Sequence, residues 1–331
     1  MHLLIAAALT AVFTLGGDNT APMNAAKGDS CCKAGGCPVA AKVTELVASW
    51  KQATEEMKAM PVAERDSLHA RVMTLAADCP IGKRMGPTMV ATRDVLGLLV
   101  ASAETCAKSC PIMNATPEQK QTPAFQAALE LVTARGKLLQ DLNQLASYAG
   151  CCGSDASCKG ATDKVSEPTG KTLRTEIAGD GAACAGAKVS DQACKLCPKE
   201  LAERVAKLKA SWATVGEDLA QMPAAKKEEM RKGFESLSAS CKTIALMPAT
   251  VCALADGFDA LDSLHGKLGA WAEANPTVMA NVSEEAKKMF EANNALVRET
   301  RDVLRRGADT IKGGSGCKEA TPVGKGSTAQ N

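Results

Sequence analysis

The 15 cysteines of this 331-residue chain are its main chemical resource. Their spacing is uneven. Cys31, Cys32 and Cys37 fall within seven residues, Cys151 and Cys152 are adjacent, and Cys194 and Cys197 form a C-x-x-C before Pro198. Thiols grouped in this way act as disulfide staples, as soft ligands for Cu(I) or Zn(II), or as a redox pair. The compartment decides which use comes first. The N-terminus, "MHLLIAAALTAVFTLGG", is an apolar run closed by Gly16 and Gly17, as in a secretory leader. It is shorter than the ~20 apolar residues a membrane-spanning helix needs. Residues 1–26 are therefore expected to be a signal peptide, and the mature chain to be exported, periplasmic or secreted. No later segment reads as a membrane span. In an oxidising compartment most cysteines pair, and an odd number leaves at least one thiol free, intermolecular or ligated.

Other chemistry is sparse. Three histidines are present. His2 lies in the leader, His69 beside an apolar helical seam as a solvated residue, and His265 on such a seam as a core residue with a hydrogen-bond partner. None has the neighbours of a nucleophilic triad. Glycine-rich phosphate loops and C-x-x-C-H haem motifs are lacking. Asn114-Ala-Thr116 and Asn281-Val-Ser283 match the glycosylation sequon by composition alone. With 39 basic and 37 acidic residues, net charge +2, no broad field for nucleic acid is expected. The chain reads as non-enzymatic.

The elements that carry these cysteines come in two copies. "ASWKQATEEMKAMP" (48–61) matches "ASWATVGEDLAQMP" (210–223) at an offset of 162. The same offset places Cys79 on Cys241. Further on the offset becomes 165, with "FQAALELV" (125–132) on "FEANNALV" (290–297) and Cys152 on Cys317. Aromatic content is 3%, and Ala, Leu, Met and Val supply the apolar mass, which favours helix. Each copy reads as four helices, A to D. Val43, Leu46, Trp50, Ala53 and Met57 step by three and four along helix A, as do Val205, Leu208, Trp212, Val215 and Leu219. Trp50 and Trp212 are thus equivalent packing anchors. Pro61 and Pro223 close helix A and open helix B. Short polar loops make neighbouring helices antiparallel. The expectation is an all-α protein of two tandem antiparallel four-helix-bundle-like repeats, 31–152 and 193–317. A flexible linker (153–192) joins them, and 318–331 form a disordered tail.

On that topology most thiols gather at one end of each bundle. The disulfide candidates are Cys37, Cys79, Cys151, Cys152, Cys197, Cys241, Cys252 and Cys317. The simplest pairings are Cys37 with Cys79, Cys197 with Cys241 and Cys252 with Cys317. If the thiols stay reduced, Cys31, Cys32, Cys37, Cys79, Cys194, Cys197, Cys241 and Cys252 are the candidate Cu or Zn ligands; otherwise no cofactor is expected. Cys106 and Cys110 have the C-x-x-x-C spacing of the four-helix copper-storage proteins, which the chain resembles in that motif. In those proteins cysteines line the bundle interior, whereas here Leu, Val and Met fill the seams. Cys194 and Cys197 at a helix start supply a redox alternative. The functional expectation is an interaction or envelope-structural module with an unidentified protein or envelope partner. Two tethered bundles would suit bivalent binding.

Overall fold

The computed structural model describes residues 38–151, 198–280 and 282–313. All regular structure among them is helical. In the first repeat α1 spans Pro38–Ala59, α2 Val62–Asp78, α3 Pro80–Ser109, α4 Pro117–Lys120 and α5 Pro123–Cys151. In the second, α6 spans Pro198–Ala213, α7 Val215–Ala220, α8 Ala224–Ser240, α9 Lys242–Ala274, α10 Pro276–Met279 and α11 Glu284–Gly313. Proline sets many of these starts. It is the first residue of α1, α3, α4, α5, α6 and α10, where a missing N–H costs nothing. Pro61 and Pro223 occupy the N-cap positions of α2 and α8. A single extended cysteine, Cys79 or Cys241, separates helix B from helix C.

Four helices per repeat were expected; among the described residues the first repeat has five and the second six, with the short α4 and α10 before helix D. Helix A of the second repeat is interrupted between α6 and α7. There Arg84 of the first repeat intervenes: its Nε donates to the carbonyl of Ser211 at 2.6 Å and its Nη2 to Thr214 Oγ1 at 2.9 Å. The same guanidinium pairs with Asp218 in the next turn. A carbonyl released by the break thereby keeps a donor.

The arrangement departs from two separate bundles. Helices C and D of both repeats form one closed ring, with α3 on α5, α5 on α9, α9 on α11 and α11 on α3. Helix α1 lies on its own α5 and on α9 of the other repeat, and α6 lies on α11 and α3 in the equivalent way. The two B helices, α2 and α8, pack on each other and on their own C helices. One apolar core consequently contains residues of both repeats, among them Val43, Trp50, Leu96 and Leu142 with Val205, Trp212, Leu254 and Leu304. Periodicity identifies an apolar stripe but not the stripe that covers it. Because the copies share a pattern, helix A can be covered by helix C of either repeat, and here it takes the other one. The linker and tail boundaries fall outside the described residues.

Helix α9 also corrects an expectation. It is long and apolar enough to cross a membrane, but most of its apolar window is buried inside the protein. As a ring helix it is covered by α1, α5, α8 and α11. Its polar positions are matched: Arg305 of α11 reaches Asp256 at 2.9 Å and Asp259, and Arg301 reaches Asp262.

Candidate functional site

The seam between the repeats is where polar groups were placed inside. Trp50 Nε1 donates to Thr250 Oγ1 at 2.7 Å, and Trp212 Nε1 donates to Thr88 Oγ1 at 2.9 Å. These four residues are related by the 162-residue offset, so the two bonds are one contact made twice. Each threonine also donates to the carbonyl one turn back, Thr88 to Arg84 and Thr250 to Leu246. Both indoles are fully buried, and a buried N–H left without a partner would cost about 1–3 kcal/mol.

Flanking charges repeat in the same way. Lys42 lies 3.7 Å from Asp256, and its equivalent Arg204 lies 3.0 Å from Asp94, the equivalent of Asp256. At the other end Glu56 pairs with Lys242 at 2.5 Å, and its equivalent Asp218 pairs with Arg84. Proline holds position 80, the counterpart of Lys242, so the cation there sits one helical turn on at Arg84. Residues 42, 50 and 56 of α1 face 256, 250 and 242 of α9, so the two helices run antiparallel. Hydrogen bonding to Lys242 holds the Glu56 carboxyl below its usual range. These pairs are partly exposed and each contributes little alone; together they fix register.

The described thiols do not gather into one centre. Cys79 and Cys241 are buried and free, and Cys110 is half-buried and free. The bridges expected from Cys37 to Cys79 and from Cys197 to Cys241 are therefore not formed; Cys37 and Cys197 lie outside the described residues. The physical reason lies in the helix B to C junction, where each thiol turns inward. Cys79 is 1% exposed, and burial pushes its thiol up to about 11, keeping it protonated. Such a thiol is a poor nucleophile and a poor ligand at neutral pH. Cys241 Sγ sits 3.0 Å from Thr243 Oγ1 and 3.7 Å from Met57 Sδ of the other repeat. Cys252, buried on α9, is disulfide-bonded. None of the three free thiols is its partner.

Cys106 and Cys151 belong to α3 and α5, and their side chains lie outside the described set. So do Cys31, Cys32, Cys152, Cys158, Cys184, Cys194 and Cys317. Among the described residues no group of three or more His, Cys, Asp or Glu side chains converges on one point.

His265 was expected to be a core residue with a partner, and the partner is Arg135. Arg135 Nε donates to His265 Nε2 at 2.6 Å across the α5–α9 contact, while Phe290 stands edge-on at 5.7 Å. Burial, together with Arg135 and Arg298, pulls the imidazole down to about 3, so it is neutral and its Nδ1 has no partner. His69 is half-buried rather than a freely solvated surface residue. A shallow apolar hollow of about 400 Å³ lies between Pro198 and Ala202 of α6 and Ala292, Ala295 and Leu296 of α11.

The seam residues carry a signal in the sequence. Thr88/Thr250, Asp94/Asp256, Lys42/Arg204 and Glu56/Asp218 each keep their chemistry at the 162 offset. Polar identity retained between internal copies marks shared contacts, as apolar identity does. The chain matches no family model, no curated protein and no solved structure.

Proposed function

We propose that the protein is an exported, non-enzymatic helical scaffold, an interaction or envelope-structural module whose two repeats act as one body. The observation that supports this reading is the doubled Trp–Thr seam, in which the buried polar groups of each repeat are used to hold the other. Both apolar helix A faces are consumed in the same way. The bivalent idea changes accordingly: any two equivalent surfaces would be presented at a fixed spacing, not on a tether. Disulfides belong to the proposal as stabilisers of this body, at Cys151, Cys152, Cys252 and Cys317 rather than at Cys79 and Cys241.

The test counts alkylatable thiols by mass, with and without reductant, on anaerobically purified protein. Metal is measured on the same sample, and the chain is located by cell fractionation. A few free thiols, no stoichiometric metal and an exported chain are expected. Many free thiols with stoichiometric Cu or Zn would favour thiol metal storage. One readily reduced pair at Cys194 and Cys197 would favour redox exchange.

A further inference from the structure

Contacts that occur twice about a two-fold relation are the mark of an isologous interface, in which a surface meets its own copy. Here the two surfaces belong to unlike repeats, and the differences between them fall on the seam. Gly257 of α9 faces Leu142 of α5. A Cβ at 257 would lie 2.8 Å from Leu142 Cδ1 and 3.1 Å from Cγ, and closer still to Cδ2. Leu142 is fully buried, so its methyl groups can make room only by displacing the core packed around them. The residue equivalent to Gly257 is Val95, and the residue equivalent to Leu142 is Gly307. Gly307 itself is packed by Trp212 of its own repeat and by Met85 of repeat 1, 3.5–3.6 Å from where a Cβ would lie, so the tight notch is the one at Gly257.

The consequence depends on which repeats meet. Two copies of repeat 1 paired through this seam would set Val95 against Leu142 twice, at a point where Leu142 now lies over a glycine. Two copies of repeat 2 would set Gly257 against Gly307 twice, with no leucine to fill the notch at 257. A second notch points the same way. A Cβ at Gly233 of α8 would lie 2.7 Å from Leu75 Cδ2 of α2, and the equivalent of Gly233 is Arg71. Leu75 is only half-buried and can swing aside, so this notch discriminates less than the first.

We infer that the repeats are a matched unlike pair: the face of repeat 1 formed by α1, α3 and α5 takes repeat 2, of its own chain or of a second copy, and rejects another repeat 1. Each over-packed contact disfavours like pairing by roughly tenfold or more, and the contact occurs twice.

The test uses the full chain with a protease site inserted within residues 153–192. The protein is purified folded and cleaved under reductant, so that no disulfide holds the halves, and then weighed by native mass spectrometry. A 1:1 complex of unlike halves is expected. After unfolding and refolding, unlike pairs should exceed either like pair by at least roughly tenfold. Refolding in the statistical ratio of like to unlike pairs, or dissociation on cleavage, would overturn the inference. A measurement without refolding supports it independently. In the intact chain Gly257→Val should lower the melting midpoint, and Gly257→Val with Leu142→Ala should recover part of the loss. An unchanged midpoint for Gly257→Val would show that the notch does not discriminate.

Discussion

Trp50→Phe tests the shared core most directly. The substitution keeps a large apolar ring and deletes the Nε1–H that reaches Thr250 across the seam. The lost hydrogen bond is worth about 1 kcal/mol net. The space vacated by the smaller ring in a fully buried site adds about 1 kcal/mol. For a body of this size 1 kcal/mol moves the midpoint by roughly 2–4 °C, so a fall of roughly 4–8 °C is expected. Trp212→Phe removes the equivalent bond to Thr88 and should cost a similar amount. Thermal unfolding followed by far-UV circular dichroism, under reductant, reads both. One cooperative transition should shift as a whole in either variant, because residues of both repeats lie in one core. A double-mutant cycle of Trp50→Phe with Thr250→Val should give a coupling of about 0.5 kcal/mol or more. Two transitions, of which each variant moves only one, would refute the reasoning, since that is how two separate bundles behave.

Further outcomes follow from single sites. His265 is held near 3 against an ordinary 6.5, so the unfolded chain takes up a proton that the folded chain excludes between those values. Its contribution is complete above about 6.5 and is lost as pH falls, by about 1.4 kcal/mol per unit; urea midpoints from pH 7 to 4 should show this slope, and His265→Leu should flatten it. Among the described thiols, half-buried Cys110 should alkylate first in the folded protein, Cys79 and Cys241 only on unfolding, and Cys252 only after reduction, as read by peptide mass mapping; rapid labelling of folded Cys79 would contradict its burial. Arg84→Met should lower stability by about 1–3 kcal/mol, because the Asp218 carboxylate loses its cation and the carbonyl of Ser211 keeps only the longer bond from Thr214 Oγ1. It should also speed amide exchange in α7, and unchanged exchange there would mean that the arginine does not secure the break.

Local signals in the sequence carry the all-helical class and the apolar faces of the long helices, but not the extra short helices or the break in helix A of the second repeat. Steps of three and four through Val43, Leu46 and Trp50, and prolines at helix starts, are local signals that need no partner to be read. The sequence by itself also determined that Trp50 and Trp212 are equivalent, since an offset is arithmetic. What covers them is settled by tertiary packing. Two copies of one pattern leave two self-consistent solutions, helix A on its own helix C or on the other, and both bury the same stripe. The choice rests on shape at particular points: the notch at Gly257 that receives Leu142, the threonines 88 and 250 that receive the indoles, and Arg84 reaching the break in helix A of the other repeat. For the cysteines the same limit applies. Sequence places Cys79 and Cys241 at a helix junction, but the inward turn of that junction makes each a buried thiol rather than a staple.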